Sequence, residues 1–380
     1  MITVLHIGKF YPPVAGGMER VLASLCRSTA GEIDSRVLVF NTSRETVRET
    51  VDGVPVTRVG TLGTAGSVPV APAFALEISR TAADLIVLHE PNPWAMLSLA
   101  LAPTRAPLAV WFHSEVVRGR LQYLIFYHPL ARTVYRRARR IIVSSPVLAD
   151  HAAALQPYRD RIAVVPFGID AAEWEATPDV AARAAAIRAE AGARPLVLFA
   201  GRMVPYKGVD VLLRALAGLD VSAVLVGAGP LLDRWKALAR ELGVADRVRF
   251  AGPVPHPELA ALYHACDMFV LPSVTRAEAF GYVQLEAMAC GKPVVSTRLP
   301  SGVPWVNRDG ETGLTVPPGD PDALRDAIRR LAANPGLRAR LGRAGRTRVA
   351  ADFSMERMGR DTAALYRAIV RDAAARVTPC

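Results

Sequence analysis

The stretch Arg276-Ala277-Glu278-Ala279-Phe280-Gly281-Tyr282-Val283-Gln284-Leu285-Glu286-Ala287-Met288-Ala289-Cys290-Gly291-Lys292-Pro293-Val294-Val295 decides how this chain is read. Its two carboxylates, Glu278 and Glu286, stand eight positions apart. A loop broken by Gly281 follows the first, and an apolar helix from Val283 to Ala289 carries the second. Gly291 falls where a helix takes its C′ glycine, with Pro293 just beyond it. Val294 and Val295 then open a strand. Glu278 is thus expected on a loop at a strand end and Glu286 in the early part of a helix. Open α/β sheets bind their ligands at that place, outside the carboxyl ends of the strands.

Two carboxyls that attack a glycosidic bond from both sides stand about 5 to 9 Å apart. Eight residues of continuous helix would separate them by roughly 12 Å. Two residues on one helix edge do not flank a bond. The pattern better suits two acids that accept hydrogen bonds from different hydroxyls of one extended ligand. The amides of Ala279, Phe280 and Gly281 would then face its anionic or hydroxyl oxygens. Taken alone, the spacing also describes an ordinary helix surface. The loop, helix, glycine, proline and strand in that order are what argue for a site.

Working outward, strand and helix patterns alternate along the whole chain, which predicts an α/β protein with parallel sheets. In the first half, strands are expected at Thr3–Ile7, Ser35–Phe40, Val54–Val59, Leu85–Leu88, Leu108–Phe112, Arg140–Val143 and Ile162–Val165. A helix is expected over Gln122–Ala138. A linker at Gly192–Pro195 precedes a restart at Leu196–Ala200, and a last helix begins near Ser354. The expected domains are 1–190, together with a C-terminal helix of about 356–380, and 191–355.

Composition narrows the class. A chain of 380 residues is long enough for two cores. Its 51% hydrophobic and 21% charged residues exclude disorder. No apolar run reaches the 18 or so residues of a membrane span. The chain opens directly on a strand pattern, so no secretory leader is expected. Cys26, Cys266, Cys290 and Cys380 form neither a metal spacing nor a disulfide framework. A cytoplasmic location is expected. The formal charge of +11 comes almost wholly from arginine, since Lys9, Lys207, Lys236 and Lys292 are the only lysines. Where arginine fills nearly every basic position, a retained lysine points to a need for a compact charge. Lys207, after a Gly-Arg loop, carries that argument; Lys236 sits in a helix pattern and reads as surface. A zinc spacing, an RNP-like strand and a basic tail are all lacking, so nucleic acid is not an expected partner. The densest basic cluster is Arg132, Arg136, Arg137, Arg139 and Arg140, just after Leu121, Tyr123, Leu124, Ile125, Phe126 and Tyr127. It reads equally as an element lying on an anionic membrane surface or as a solvated helix face.

The E-x7-E stretch resembles the signature of family 4 of the retaining glycosyltransferases, enzymes of the GT-B fold. Two further stretches agree in order and spacing: Val4 to Pro13 followed by Gly16, Gly17, Met18 and Glu19, and Phe199 to Gly208. The resemblance covers nearly the whole chain. It implies two Rossmann-like domains whose sheets face each other across a cleft, with the C-terminal helix returning to the first. It also implies transfer of a sugar from a nucleotide diphosphate sugar without a cofactor. No Asp-x-Asp stands ready to bridge the nucleotide through a metal, and the family needs none.

The resemblance assigns roles residue by residue. Arg202 and Lys207 would neutralise the leaving diphosphate, a fork and a point charge suited to it; alone, they read more readily as surface residues. His113, after the strand ending at Phe112, would lie near the transferred sugar; alone, it is a core or a catalytic histidine. Glu278 would orient sugar hydroxyls and Glu286 the ribose, with Ala279, Phe280, Gly281 and Tyr282 along the donor. Gly16 and Gly17 would touch the diphosphate or the acceptor, or simply form a turn. Gly227 and Val254, at two strand ends, would flank the nucleotide or serve only as turns. The family motif does not fix a role for His89 and Glu90, which by their place at a strand end could line the acceptor side, and His6 reads as core. The run Trp111 to Arg118 resembles a subgroup that includes mannosyltransferases. This suggests GDP-mannose or a related GDP-sugar, and a lipid-linked or lipid-anchored saccharide acceptor at the inner face of the cytoplasmic membrane. A nonhydrolysing nucleotide-sugar epimerase of the same fold and a basic nucleic-acid-binding protein are the rival readings.

Overall fold

The computed structural model describes residues 1–14, 16–66, 68–115 and 127–375. The apolar stretch Leu121–Phe126, the end of the run at Arg118 and Cys380 lie outside the described residues. The chain divides into two compact units, Met1–Gly168 with Met355–Cys380, and Ile169–Ser354.

In the first unit the strands are β1 (Ile2–Ile7), β2 (Ile33–Phe40), β3 (Val47–Val51), β4 (Val54–Val59), β5 (Gly63–Ala65), β6 (Val68–Val70), β7 (Leu85–Glu90), β8 (Leu108–Phe112), β9 (Arg140–Val143) and β10 (Ile162–Val164). Their main sheet runs β10-β9-β8-β7-β1-β2-β4-β3. Every pairing in it is parallel except β3 with β4. The central strands are continuous apolar runs, as a sheet covered on both faces requires; all five residues of β8 are buried. β3 escapes the apolar pattern because it is an exposed edge, Val-Arg-Glu-Thr-Val, joined to β4 by a turn in which Asp52 adopts φ 49° and Gly53 φ 80°. β5 and β6 form a separate hairpin. The chain order reverses between β1 and β7, which makes the carboxyl ends of these two strands the switch point of the sheet.

The C-terminal helix Met355–Ala375 returns to this unit. It crosses the helix Gly17–Ser28 at Gly359, where a Cβ would lie 2.2 Å from the Ser28 carbonyl oxygen. Any other residue there would push the helices apart. Arg367 and Glu32 pair at 2.8 Å near the crossing.

The second unit carries β11 (Leu196–Ala200), β12 (Ser222–Val226), β13 (Val248–Gly252), β14 (Met268–Leu271), β15 (Val294–Thr297) and β16 (Gly313–Val316). They form one parallel sheet in the order β13-β12-β11-β14-β15-β16. Here the order reverses between β11 and β14. The core includes Phe199, Leu212, Leu213, Trp235, Val270 and Ile328.

The second unit begins at Ile169, earlier than the boundary at 191 expected from the glycine and proline of the linker. The helix Pro178–Ala191 accounts for the difference. It buries Ala184 and Ile187, and Arg183 holds Glu258 of the helix His256–Ala265 through two hydrogen bonds of 2.8 and 2.9 Å. A polar, alanine-rich helix looks like a connector in sequence. Its small face lets it pack closely on a neighbour, and that contact exists only in three dimensions.

Candidate active site

The switch point of the second sheet gathers the charged residues. β11 ends at Ala200, and the next residues, Gly201 to Lys207, form a tight loop closed by a short 3-10 turn, Pro205–Lys207. Gly208 follows with φ 64°, and a Cβ there would lie 2.1 Å from the Pro272 carbonyl oxygen. Only glycine allows the loop to seat against the end of β14. The Val274 amide donates to the Tyr206 carbonyl at 2.8 Å across the same junction. Gly227 sits over Gly201 in the same manner, its absent Cβ 2.0 Å from the Gly201 carbonyl oxygen. Three loops are thereby locked together at the carboxyl end of the sheet.

On this platform Lys207 Nζ donates to Glu278 Oε2 at 2.6 Å, and Ser273 Oγ donates to the same oxygen at 3.0 Å. The side chains of Lys207 and Glu278 are only 9% and 11% exposed, so this is a largely desolvated ion pair. The Thr297 hydroxyl donates to the Ser273 carbonyl at 2.6 Å and holds Ser273 in place. Arg202 is exposed; its Nη2 donates to the Tyr206 hydroxyl at 3.1 Å. The Arg202 guanidinium and the Lys207 ammonium lie 5.9 and 5.6 Å from the Tyr206 ring centroid, so that ring carries both cations.

Glu286 stands apart in a different setting. It is buried in the helix Val283–Ala289, and the Tyr263 hydroxyl donates to its Oε2 at 2.8 Å. Burial, reinforced by the charge of Glu286, pushes the Tyr263 phenol well above its usual range, so it remains a donor. Between the two acids the chain is anchored by the Phe280 ring, which packs edge-on against Phe353 and tilted against Trp305, at 6.0 and 6.3 Å. Gly281 turns with φ 73°. The amides of Ala279 and Gly281 donate to no group among the described residues.

The switch point of the first sheet is built from aromatic and neutral groups. His6, His89 and His113 lie on or just after β1, β7 and β8 and are all buried. His6 Nδ1 and His89 Nε2 are 3.1 Å apart, and His89 Nδ1 and His113 Nε2 are 2.9 Å apart. His113 stacks on Phe167 at 5.7 Å and His89 on Trp111 at 5.9 Å. Burial lowers the pKa of His6 and of His113 to about 3, and holds His89 well below the usual histidine range. Glu90, next along β7, is fully buried and accepts a hydrogen bond from the Tyr135 hydroxyl. Burial raises its pKa to about 8. These groups are uncharged at neutral pH.

The chain matches two family models, a glycosyl transferase 4-like domain over residues 16–168 and the glycosyl transferases group 1 over residues 183–348. It is 34% identical to the D-rhamnosyltransferase WbpZ of Pseudomonas aeruginosa, over 90% of this chain and 89% of that one. The chain belongs to the GT-B glycosyltransferases of the family 4 type. It is also 29% identical to the O-antigen chain mannosyltransferase C of Escherichia coli, over 93% of this chain and 95% of that one. Among solved structures it is similar to the sucrose-phosphate synthase of Thermosynechococcus elongatus. The TM-score is 0.82 at 24% identity, covering 98% of this chain and all of that one, a likeness of fold.

The glycosyltransferase brings Arg202, Lys207 and Glu278 of the predicted residues together at one switch point. Glu286 lies in the helix that follows, and Val254 is a half-buried residue just past β13. Gly227 has a packing reason of its own, and Phe280 spends its ring on the core. Gly16 and Gly17 open the helix Gly17–Ser28, Gly16 as its N-cap with extended backbone. A Cβ on Gly16 would meet Glu19 Oε2 at 2.1 Å, so the Glu19 carboxylate folds back over the helix start as the acid of a capping box does. An anion would meet that carboxylate, whereas a sugar hydroxyl could donate to it. Sequence reasoning missed Ser273, Tyr206 and Tyr263. Nothing in their local pattern marks them; each gains its role from a strand or loop distant in sequence.

Proposed function

We propose that this glycosyltransferase moves a sugar from GDP-mannose or a related GDP-sugar, with retention of anomeric configuration, to a saccharide on a lipid-linked acceptor in bacterial polysaccharide assembly. The single observation that carries the chemistry is the buried Lys207–Glu278 pair beside Arg202. The diphosphate gains charge as the sugar–phosphate bond loosens. Arg202, exposed, and Lys207, largely buried, stabilise that charge; at Lys207 the poor solvation makes such stabilisation strongest. Glu278 shares one oxygen with Lys207 and Ser273 and keeps Oε1 for a sugar hydroxyl. Its negative charge is committed to a cation, which suits an orienting group better than an attacking nucleophile. Retention then follows if the acceptor approaches from the face the diphosphate leaves, with a phosphate oxygen taking the acceptor proton. Glu286, oriented by Tyr263, binds the ribose. With no metal in the reaction, the two cations supply the positive charge.

The choice of donor rests on the relatives. One is a mannosyltransferase and one a D-rhamnosyltransferase. A third, from Mycolicibacterium smegmatis, is GDP-mannose-dependent and 38% identical over 57% of this chain and 60% of its own length. The test is a thermal-shift screen of nucleotide sugars followed by product analysis. A true donor raises apparent stability by mass action. GDP-mannose should stabilise the protein more than UDP-glucose, and the product should keep the donor's anomeric configuration. Preferential stabilisation by UDP-sugars, or an inverted product, refutes the reading. Product formed without any acceptor would favour the epimerase.

Membrane attachment is a further part of the proposal. Arg132 and Arg136 are exposed, one turn apart on the helix His128–Arg137, and line a cavity of about 410 Å³ with Tyr135, Pro157 and Tyr158. Arg137 is instead engaged within the fold, donating to the Leu99 carbonyl at 2.9 Å. The exposed arginines would hold the enzyme against anionic lipid by about 1 kcal/mol each.

A further inference from the structure

The three histidines of the first unit form a staircase across adjacent parallel strands. His6 on β1 is level with Val87 on β7, and His89 on β7 is level with Trp111 on β8. Each next histidine lies two residues further along its own strand path, so all three share one face of the sheet. The two short nitrogen–nitrogen contacts join them into a single chain, from His6 Nε2 at one end to His113 Nδ1 at the other.

Each contact needs one nitrogen that carries hydrogen and one that is bare. An uncharged ring has one N–H, so the choice made at one end propagates to the other. If His6 Nδ1 donates to His89 Nε2, then His89 Nδ1 donates to His113 Nε2, and the hydrogen of His113 sits on Nδ1. In the opposite sense His113 Nδ1 is bare and His6 Nε2 carries the hydrogen. His6 Nε2 is sealed in the interior with no hydrogen-bond partner, and the Tyr366 ring of the returning helix packs 5.8 Å from the His6 ring. An orphaned buried N–H is rarer than an acceptor left unused. The first sense is the one this environment selects. His113 Nδ1 makes no hydrogen bond among the described residues, which leaves it for a ligand.

We propose that His6 and His89 are positioning residues that lock His113 into its Nδ1–H tautomer, so that this ring offers a hydrogen-bond donor to the transferred sugar. The proposal rests on the reading of His113 as the residue near that sugar. It gives the buried chain a purpose: an uncharged donor can orient a sugar oxygen without placing a full positive charge beside a carbon that itself becomes positive.

The experiment is a long-range proton–nitrogen correlation spectrum of the whole protein labelled with 15N-histidine, at pH 7, assigned with His6→Asp and His113→Ala. All three wild-type rings should show hydrogen on Nδ1 and a bare Nε2. In His6→Asp the carboxylate only accepts, so His89 should donate from Nε2, the relay should reverse, and His113 should carry its hydrogen on Nε2. Turnover with GDP-mannose should fall about tenfold, the factor for one hydrogen bond, at unchanged KM. His6→Asn, whose side-chain amide can donate from near the Nδ1 position, should restore both. An Nε2–H pattern at His113 in the wild type overturns the proposal, and that spectrum decides even if His6→Asp fails to fold. An unchanged spectrum and unchanged turnover in folded His6→Asp also overturn it. A locked spectrum together with unchanged turnover in His113→Ala would overturn the sugar-facing half alone.

Discussion

Replacing Lys207 by methionine keeps most of the side chain's volume and removes its charge. In the native protein Nζ lies 2.6 Å from Glu278 Oε2, with both side chains about nine-tenths buried. The variant leaves Glu278 with Ser273 Oγ as the remaining donor to that oxygen. Breaking a buried pair by deleting one partner costs about 3 to 5 kcal/mol, because the other charge stays desolvated. The rim of the site retains some solvent, so the lower end, about 3 kcal/mol, is expected. For a unit of this size that lowers the melting temperature by roughly 6 to 12 °C. The double variant Lys207→Met with Glu278→Gln removes both charges and should recover most of the loss, giving a coupling of about 2 kcal/mol in a thermodynamic cycle. Activity should separate from stability. Turnover falls by about a hundredfold or more in Lys207→Met and does not return in the double variant, because the charge facing the diphosphate is gone. Thermal unfolding and steady-state kinetics read the two effects. Additive single and double variants would refute the buried pair, and a Lys207→Met enzyme with native turnover would refute its role in leaving-group stabilisation.

Glu286→Ala should weaken nucleotide-sugar binding by about 1.5 to 3 kcal/mol, the worth of a hydrogen bond to a charged group, while Glu278→Ala mainly lowers turnover; titration calorimetry beside kinetics distinguishes them. Transfer should persist in excess chelator, and abolition by EDTA with recovery on adding magnesium or manganese would count against a metal-free site. Glu90, with its pKa raised to about 8, takes up a proton on folding. Its contribution to stability is therefore full below its unfolded value near 4.5 and is lost as pH rises through about 8. Glu90→Gln should flatten the fall in denaturation midpoint over that window. The histidines act in the opposite sense: their contribution is present above their ordinary value of 6.5 and is lost as pH falls toward about 3. Pelleting with anionic liposomes at low salt should drop in a variant with Arg132, Arg136 and Arg139 changed to Gln; equal pelleting would leave these arginines as an ordinary solvated face.

Much of the second unit was legible because its local and tertiary signals agree. Gly291 and Pro293 bound the helix Val283–Ala289 whatever it packs against, and the apolar runs of β14 and β15 can be satisfied only inside a covered sheet. The edge hairpin was not legible. β3 has no apolar pattern to show, and its pairing depends on β4 having an open edge. The unit boundary at Ile169 was missed for a related reason, since alanine and arginine in the helix Pro178–Ala191 do not announce the contact with His256–Ala265.

The site divides in the same way. Residue types, spacing and glycine positions along the chain determined by themselves that Arg202, Lys207, Glu278 and Glu286 belong on loops and a helix at strand ends, because helix stops and strand periodicity are short-range properties. Only the tertiary structure decided that Lys207 is bound to Glu278, that Ser273 and Tyr263 serve the two acids, and that three histidines 83 and 24 residues apart touch. Those facts depend on strand order and on parallel register. Crossover helices bring distant residues to one sheet end, and the pairing offset between neighbouring strands then sets which side chains meet.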